Sequence, residues 1–100
     1  MDTTREALRR LVVGTLMPGF VGMTVAPWVT REYAAGLAAV CLYGANVVDP
    51  AQLSRLSAEL RSVAPDLLVS VDEEGGDVTR LHYPTGSNQP GNAVLGRLDD

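Results

Sequence analysis

One amphipathic helix lies between two short apolar runs in the middle of the chain, and this arrangement constrains the fold more than any other feature. Asp49 is suited to cap the helix, Pro50 suits its first position, and Gln52 follows the cap by three residues. Four apolar residues recur at helical spacing and form one stripe: Leu53, Leu56, Leu60 and Val63. The flanking runs, AVCLYG and DLLVSV, are typical of buried strands. A strand, a helix and a strand in this order predict a parallel pair with a right-handed crossover.

The rest of the chain continues this alternation. We predict a helix over residues 4–13, a strand in the run LMPGF at residues 16–20, and a further helix over residues 31–39 that Thr30 would cap. The tail over residues 83–96 is rich in Pro, Gly, Ser and Asn, which favours a loop. Alternating helices and apolar strands predict an α/β fold, in which helices cover a parallel sheet. The carboxyl ends of parallel strands meet at one edge, where ligands usually bind.

Composition and charge argue against several kinds of partner. The formal net charge is -4 and the sequence pI is about 4.8, with no basic stripe, so we expect no nucleic-acid partner. We also expect no membrane partner, since there is neither a basic amphipathic helix nor an apolar run approaching about 20 residues. Cys41 is the only cysteine and lies in an apolar run, which predicts a small buried hydrophobe. These features favour a cytoplasmic protein, and residues 1–100 have the length of one small domain.

The segment VSVDEEGGDVTRL places three acids directly after an apolar strand. If strand alternation persists, Asp72 and Glu74 point one way and Glu73 points the other, away from any ligand that Asp72 holds. A carboxylate at the mouth of the sheet can accept hydrogen bonds from hydroxyl groups, and Arg80 could return a positive charge to it. The alternative interpretation is a charged surface loop whose glycines permit a tight turn.

Generic ligand motifs fail in this sequence. Gly14 and Gly19 have phosphate-loop spacing, but Phe20 stands where such a loop needs lysine. A calcium loop starting at Asp72 would have Asp77 where glycine is required. The single histidine, His82, has no visible catalytic partner. We therefore expect no metal and no cofactor.

The acidic segment resembles the signature of glycoside hydrolase family 3. The stretch VDEEGGDVTRL has the family's aspartate, Glu-Gly-Gly and later arginine, and the runs LMPGF, LYGANVVDPAQLSRLSAELR and PGNAVLG are similar to flanking segments of the family. The similarity covers residues 16–96 and is greatest for the bacterial β-N-acetylhexosaminidase type. It implies parallel βα units that form the N-terminal part of a TIM-type (β/α)8 barrel, with about three of the eight strands.

The resemblance also implies roles for individual residues. Asp72 and Arg80 correspond to substrate-binding residues that contact the sugar next to the cleaved bond. The residues implied to shape the site are Glu74, Gly75, Gly76 and Asn46. Two positions depart from the family: Ala45 and Asp77 stand where arginine is common, and each removes a positive charge near the mouth of the barrel.

The catalytic groups implied by the resemblance are not in this chain. The family is retaining, and its nucleophile and its acid/base residue come from later segments. A retaining pair must lie on opposite sides of the bond, about 5 to 5.5 Å apart, whereas Asp72 and Glu74 leave the same face of one strand. We therefore expect the complete protein to hydrolyse β-N-acetylglucosaminides and this chain alone to be inactive. The alternatives are a β-glucosidase-type member, a non-catalytic carbohydrate-binding or interaction module, and a generic flavodoxin-like domain. An open sheet edge also predicts self-association of the isolated chain.

Overall fold

The computed structural model describes residues 3–99. Four α-helices and two strands follow one another along this part of the chain: α1 (Thr3–Val13), α2 (Pro27–Ala34), β1 (Ala39–Leu42), α3 (Pro50–Val63), β2 (Leu68–Val71) and α4 (Asn92–Leu98). A 3-10 turn, Gly44–Asn46, follows β1. The two strands pair in parallel, with Ala39 opposite Leu68 and Leu42 opposite Val71. The predicted strand-helix-strand unit and the α/β class are confirmed.

The start of α3 follows the predicted signals. Asp49 Oδ1 accepts a hydrogen bond from the Gln52 N–H at 2.7 Å, and Pro50 occupies the first turn, where its missing N–H costs nothing. The Gln52 side chain returns the contact, since its Oε1 accepts from the Val48 N–H at 2.9 Å. The helix ends just before Pro65, as predicted.

The core lies where α2 and α3 pack against β1. Every residue of β1 is buried, and Cys41 is 7% exposed, which confirms it as a small buried hydrophobe. The largest apolar side chains that are completely enclosed are Leu56 and Leu60 of α3, Val29 of α2 and Val40 of β1. Burying each such side chain favours folding by about 1.5 to 3 kcal/mol.

The prediction of a strand over residues 16–20 is wrong. The segment lies beside β1, but only one backbone bond joins them, from the Cys41 N–H to the Pro18 carbonyl at 2.9 Å. Pro18 has no N–H to donate in return, so a regular ladder cannot form at this position. The sheet of the described residues therefore has two strands.

Two helix predictions also need correction. The second helix begins at Pro27 rather than after Thr30, and it ends before Gly36, which has a φ of 114°. A Cβ at Gly36 would lie 3.1 Å from the Arg10 carbonyl oxygen, so the glycine also permits close approach to α1. The tail that we predicted to be loop contains α4, which Gly91 precedes as the N-cap residue.

The sheet is open on the β2 side. Leu68 is 64% exposed and Val69 is 37% exposed, although their types predict burial. None of the residues of α1 or α4 is buried. The radius of gyration is 16.7 Å, against about 13 Å for a compact domain of this length. Residues 3–99 thus form parallel α/β structure with unfilled faces, and they do not close a barrel. No helix among them is long and apolar enough to cross a membrane.

Candidate functional site

The acidic segment lies at the carboxyl edge of the two-stranded sheet. The Asp72 N–H donates to the Leu42 carbonyl at 3.0 Å, which continues the β1–β2 ladder by one residue. Tyr43 and Gly44 follow β1 at the same edge. The sequence-predicted location of Asp72 at the mouth of the sheet therefore agrees with the structure.

Asp72 and Arg80 form an ion pair across this edge. Arg80 donates from Nε at 3.3 Å and from Nη2 at 3.0 Å, and both bonds go to Asp72 Oδ2. The two side chains are about one third exposed, at 33% for Asp72 and 38% for Arg80. Among the described residues Asp72 Oδ1 has no hydrogen-bond partner. One oxygen of the carboxylate is thus fixed by the arginine, and the other can accept hydrogen bonds from a ligand.

Glu73 holds the backbone of the segment that carries Arg80. Its Oε2 accepts from the Arg80 N–H at 2.8 Å and from the Leu81 N–H at 3.0 Å. Its Oε1 is enclosed and has no partner of ordinary hydrogen-bond geometry among residues 3–99. The nearby Thr79 hydroxyl is the main cause that lowers the pKa of Glu73, followed by the Leu81 amide, and burial opposes them. Glu73 is therefore an ionised acceptor inside the turn.

The two glycines of the segment permit close packing against the chain near Pro90. Gly75 has a φ of 76°, and a Cβ there would lie 2.6 Å from the Pro90 carbonyl oxygen. Gly76, with a φ of 58°, donates its N–H to the Gln89 carbonyl at 2.8 Å. Glu74 is exposed and makes no hydrogen bond or ion pair with the described residues. The glycines thus shape the turn, and Glu74 points to solvent.

Asn46 fastens the neighbouring loop from inside. Its side chain is almost completely buried, at 1% exposure. Its Nδ2 donates to the carbonyls of Phe20 at 2.9 Å and Gly22 at 2.6 Å, and its Oδ1 accepts from the Tyr43 N–H at 2.9 Å. Asn46 therefore joins residues 20–22 to the end of β1, and its polar atoms face the backbone of the protein.

Gln52 is a second fastening residue that the sequence identified only as a helix-start signal. Its Nε2 donates to the Asn46 carbonyl at 2.9 Å and to the Met23 carbonyl at 3.2 Å. The two amide side chains thus hold the loop over residues 20–23 beside the candidate site. The signal for this role was a glutamine placed to reach back over the helix start.

Tyr43 is a further residue at this edge that sequence reasoning missed. Its ring packs over Gly19, where a Cβ would come within 3.0 Å of Cε2. Hydrogen bonding with the Cys41 thiol is the main cause that raises the pKa of Tyr43, and the Asp72 charge adds to it. The phenol therefore stays neutral near Asp72. An aromatic residue directly after a buried strand was the available signal.

Two cavities lie near these elements. A cavity of about 290 Å³ adjoins Arg80 and is lined by Gly44, Val47, Thr79 and Tyr83 among others. A larger groove of about 580 Å³ runs along the open side of β2 and α3, and most of its lining is aliphatic. The larger groove is the unfilled sheet edge described above, whereas the smaller one is lined by Arg80 but not by Asp72.

The arrangement can bind polar groups through Asp72 and Arg80. Asp72 and Glu74 come from one turn, so they cannot approach a glycosidic bond from opposite sides. No group of three or more His, Cys, Asp or Glu residues within residues 3–99 could hold a metal ion. Asp72, paired with Arg80, can act as a charge-supported acceptor for hydroxyl or amide hydrogens.

Sequence comparison identifies known proteins that are similar to this chain. A β-hexosaminidase of Xylella fastidiosa is 40% identical over 72 residues, which is 67% of this chain and 21% of the relative. A β-hexosaminidase of Methylococcus capsulatus is 37% identical over 67 residues, 65% of this chain and 20% of the relative. The chain thus spans about a fifth of the length of these curated relatives. No protein-family model matches the chain.

A solved structure extends the similarity over nearly the whole chain. The glycoside hydrolase family 3 β-N-acetylglucosaminidase of a Paenibacillus species superposes with a TM-score of 0.74 and 33% identity, over 93% of this chain and 19% of that one. Fold and site together define parallel α/β structure with a paired carboxylate at the carboxyl edge of its strands. The chain is homologous to one segment of the glycoside hydrolase family 3 β-N-acetylglucosaminidases, and the resemblance seen in the sequence is confirmed.

Proposed function

We propose that the complete protein is a glycoside hydrolase that cleaves terminal β-linked N-acetylglucosaminides. In this proposal the chain supplies the N-terminal part of a TIM-type (β/α)8 barrel, in which β1 and β2 are two of the eight strands. The substrate class follows the names of the β-hexosaminidase relatives and of the β-N-acetylglucosaminidase structure. The unfilled faces of β2, α1 and α4 support it, because further βα units would cover them.

The observation that carries the proposal is the Asp72–Arg80 pair at the carboxyl edge of the parallel strands. In barrels this edge holds the active site. Asp72 Oδ2 is fixed by Arg80, so Oδ1 is oriented to accept a hydrogen bond from a sugar hydroxyl. Such bonds accelerate the reaction where they strengthen as the ring approaches an oxocarbenium-like transition state. Asp72 thus acts as a substrate-binding residue and leaves the bond-breaking to other segments.

The nucleophile and the acid/base residue of the retaining mechanism come, in this proposal, from outside the chain. The carboxylates at the site cannot replace them. Asp72 is paired with Arg80, Glu73 is bonded to backbone amides, and Glu74 is exposed on the same turn. The chain alone is therefore expected to bind sugar weakly and to hydrolyse none.

The test is hydrolysis by the protein that the complete reading frame encodes. The purified protein is assayed with 4-nitrophenyl β-N-acetylglucosaminide and, in parallel, with the matching β-glucoside, and the 100-residue chain is the negative control. Release of nitrophenol from the acetamido substrate by the complete protein alone is the expected result. Preference for the glucoside would indicate the β-glucosidase type. A reading frame that stops after Asp100, with sugar binding and no hydrolysis, would indicate a non-catalytic module.

A further inference from the structure

Two adjacent acids hold the same arginine by its two ends. Asp72 accepts from the guanidinium group of Arg80, at Nε and Nη2, while Glu73 accepts from the Arg80 main-chain N–H. The Leu81 N–H adds a second backbone bond to the same Glu73 oxygen. Consecutive backbone N–H groups converge on one oxygen only when the chain turns there, so the carboxylate selects the conformation of residues 80 and 81.

A second contact stabilises this turn. The Thr79 hydroxyl oxygen accepts from the His82 N–H at 3.0 Å, and Thr79 is buried at 5% exposure. The turn that delivers Arg80 is thus fastened at the backbone of residues 80, 81 and 82. A surface loop with three solvated acids would show no such convergence, and Glu74 and Asp77 in the same segment are in fact exposed.

We propose that Glu73 is a positioning residue, which fixes the backbone at Arg80 so that the guanidinium meets Asp72 and leaves Asp72 Oδ1 directed at the substrate. This inference rests on the proposed function, because it assigns Glu73 a part in preparing the sugar-binding carboxylate. It goes beyond the resemblance, in which the position between the motif aspartate and the motif glutamate has no assigned role.

The negative charge of Glu73 strengthens its hydrogen bonds with the backbone amides of Arg80 and Leu81. Bonds from backbone amides to a carboxylate are charge-assisted and stronger than bonds to a neutral acceptor. A glutamine would retain one carbonyl oxygen of similar reach, whereas an alanine would leave the Arg80 and Leu81 amides without partners. Comparing Glu73→Gln with Glu73→Ala therefore separates the effect of losing the negative charge from the effect of losing the acceptor oxygen. Asp77→Asn is a matched control, because it removes one exposed carboxylate from the same segment.

The first experiment measures amide hydrogen exchange by NMR in the 100-residue chain and in its Glu73→Ala, Glu73→Gln and Asp77→Asn variants. Glu73→Ala should accelerate exchange at Arg80 and Leu81 at least about tenfold, and Glu73→Gln should do so less. The amides of Leu56 and Leu60 in α3 should keep their rates in every variant. Unchanged rates at Arg80 and Leu81 in Glu73→Ala, or equal acceleration in α3, would overturn the positioning role.

The second experiment measures kinetics in the complete protein with the β-N-acetylglucosaminide. Glu73→Ala should lower kcat/KM about tenfold or more, Glu73→Gln should recover part of the loss, and Asp77→Asn should match the parent protein. Turnover of the parent with no effect of Glu73→Ala would overturn the inference and leave the proposed function standing. Accelerated exchange at residues 80 and 81 without turnover of the parent would refute the proposed function and leave Glu73 as the residue that positions Arg80.

Discussion

Arg80 reaches Asp72 with two nitrogens that converge on a single carboxylate oxygen, Oδ2, at 3.3 and 3.0 Å. A fork that bonded both oxygens would have given each of them a partner within the protein. The observed geometry instead holds Oδ2 with two bonds and leaves Oδ1 without a partner among the described residues. The pair therefore behaves as an oriented acceptor, which is what recognition of a sugar hydroxyl requires.

Replacing Asp72 by alanine in the complete protein should lower kcat/KM by about thirtyfold to a thousandfold, because one charged hydrogen-bonding partner is worth roughly 2 to 4 kcal/mol in a transition state. The measurement is steady-state kinetics with the β-N-acetylglucosaminide, accompanied by thermal unfolding. Asp77→Asn is the control for loss of a carboxylate in the same segment. A large fall in the unfolding temperature together with the loss of activity would show that Asp72 acts on stability and not on the substrate.

Glu73→Ala is not a suitable control for Asp72→Ala in this experiment. Strand alternation predicted only that Glu73 faces away from any ligand that Asp72 holds. Its carboxylate is instead bonded to the backbone of the turn that carries Arg80. The contact joins residues seven and eight positions apart through a turn of irregular shape, so no local pattern could have predicted it.

The parts of the fold that were predictable are those with local signals. Asp49, Pro50 and the leucine stripe fixed α3, and its two flanking runs became β1 and β2. Pro18 carried a signal that was not used, since a residue without an N–H cannot complete a strand ladder. Pro27 was likewise a better helix start than Thr30. Leu68 is exposed because the described residues leave that side of β2 uncovered. The residue type alone cannot indicate this.

Acid should release the Arg80 turn before it unfolds the rest of the chain. The pKa of Glu73 is lowered by the Thr79 hydroxyl and the Leu81 amide, so the ionised form is favoured in the folded state. A lowered pKa stabilises the folded turn above the pKa of the unfolded chain, and this contribution is lost as pH falls through the folded pKa. The amide shifts of Arg80 and Leu81, followed from pH 7 downward, should titrate with a midpoint below the ordinary glutamate value. Persistence of that transition in Glu73→Gln would assign it to another group.

Gly75→Ala should destabilise the chain far more than Gly86→Ala. Both glycines have positive φ, 76° and 81°, so both substitutions carry the strain of a left-handed conformation, about 1 to 2 kcal/mol. A Cβ at Gly75 would also lie 2.6 Å from the Pro90 carbonyl oxygen, while one at Gly86 would meet nothing within 4 Å. Chemical denaturation of the two variants measures the difference. Equal losses would mean that the segment near Pro90 moves aside freely and that Gly75 is needed for its φ alone.

Asn46→Ala should cost about 2 to 4 kcal/mol of unfolding free energy, because it leaves the buried Phe20 carbonyl, the partly buried Gly22 carbonyl and the Tyr43 N–H without their partner. Asn46→Asp should be at least as harmful above pH 5, since a carboxylate oxygen would then face two carbonyl oxygens. Asn88→Ala is the control, because Asn88 is exposed. A loss below about 0.5 kcal/mol in Asn46→Ala would show that water replaces the amide and that the loop over residues 20–22 does not depend on it.

The isolated chain should self-associate through the open side of β2. Leu68 is 64% exposed beside a groove of about 580 Å³, and the outer edge of β2 has no strand partner among residues 3–99. Unpaired, apolar strand edges pair with other chains, and a charged side chain on the edge prevents this. Leu68→Lys should therefore shift the chain towards monomer in size-exclusion chromatography with light scattering. Leu8→Lys is the matched control, because Leu8 is similarly exposed, at 60%, but lies on α1. If both substitutions dissociate the chain equally, association follows general surface hydrophobicity; if the unsubstituted chain is monomeric at millimolar concentration, the edge does not pair at all.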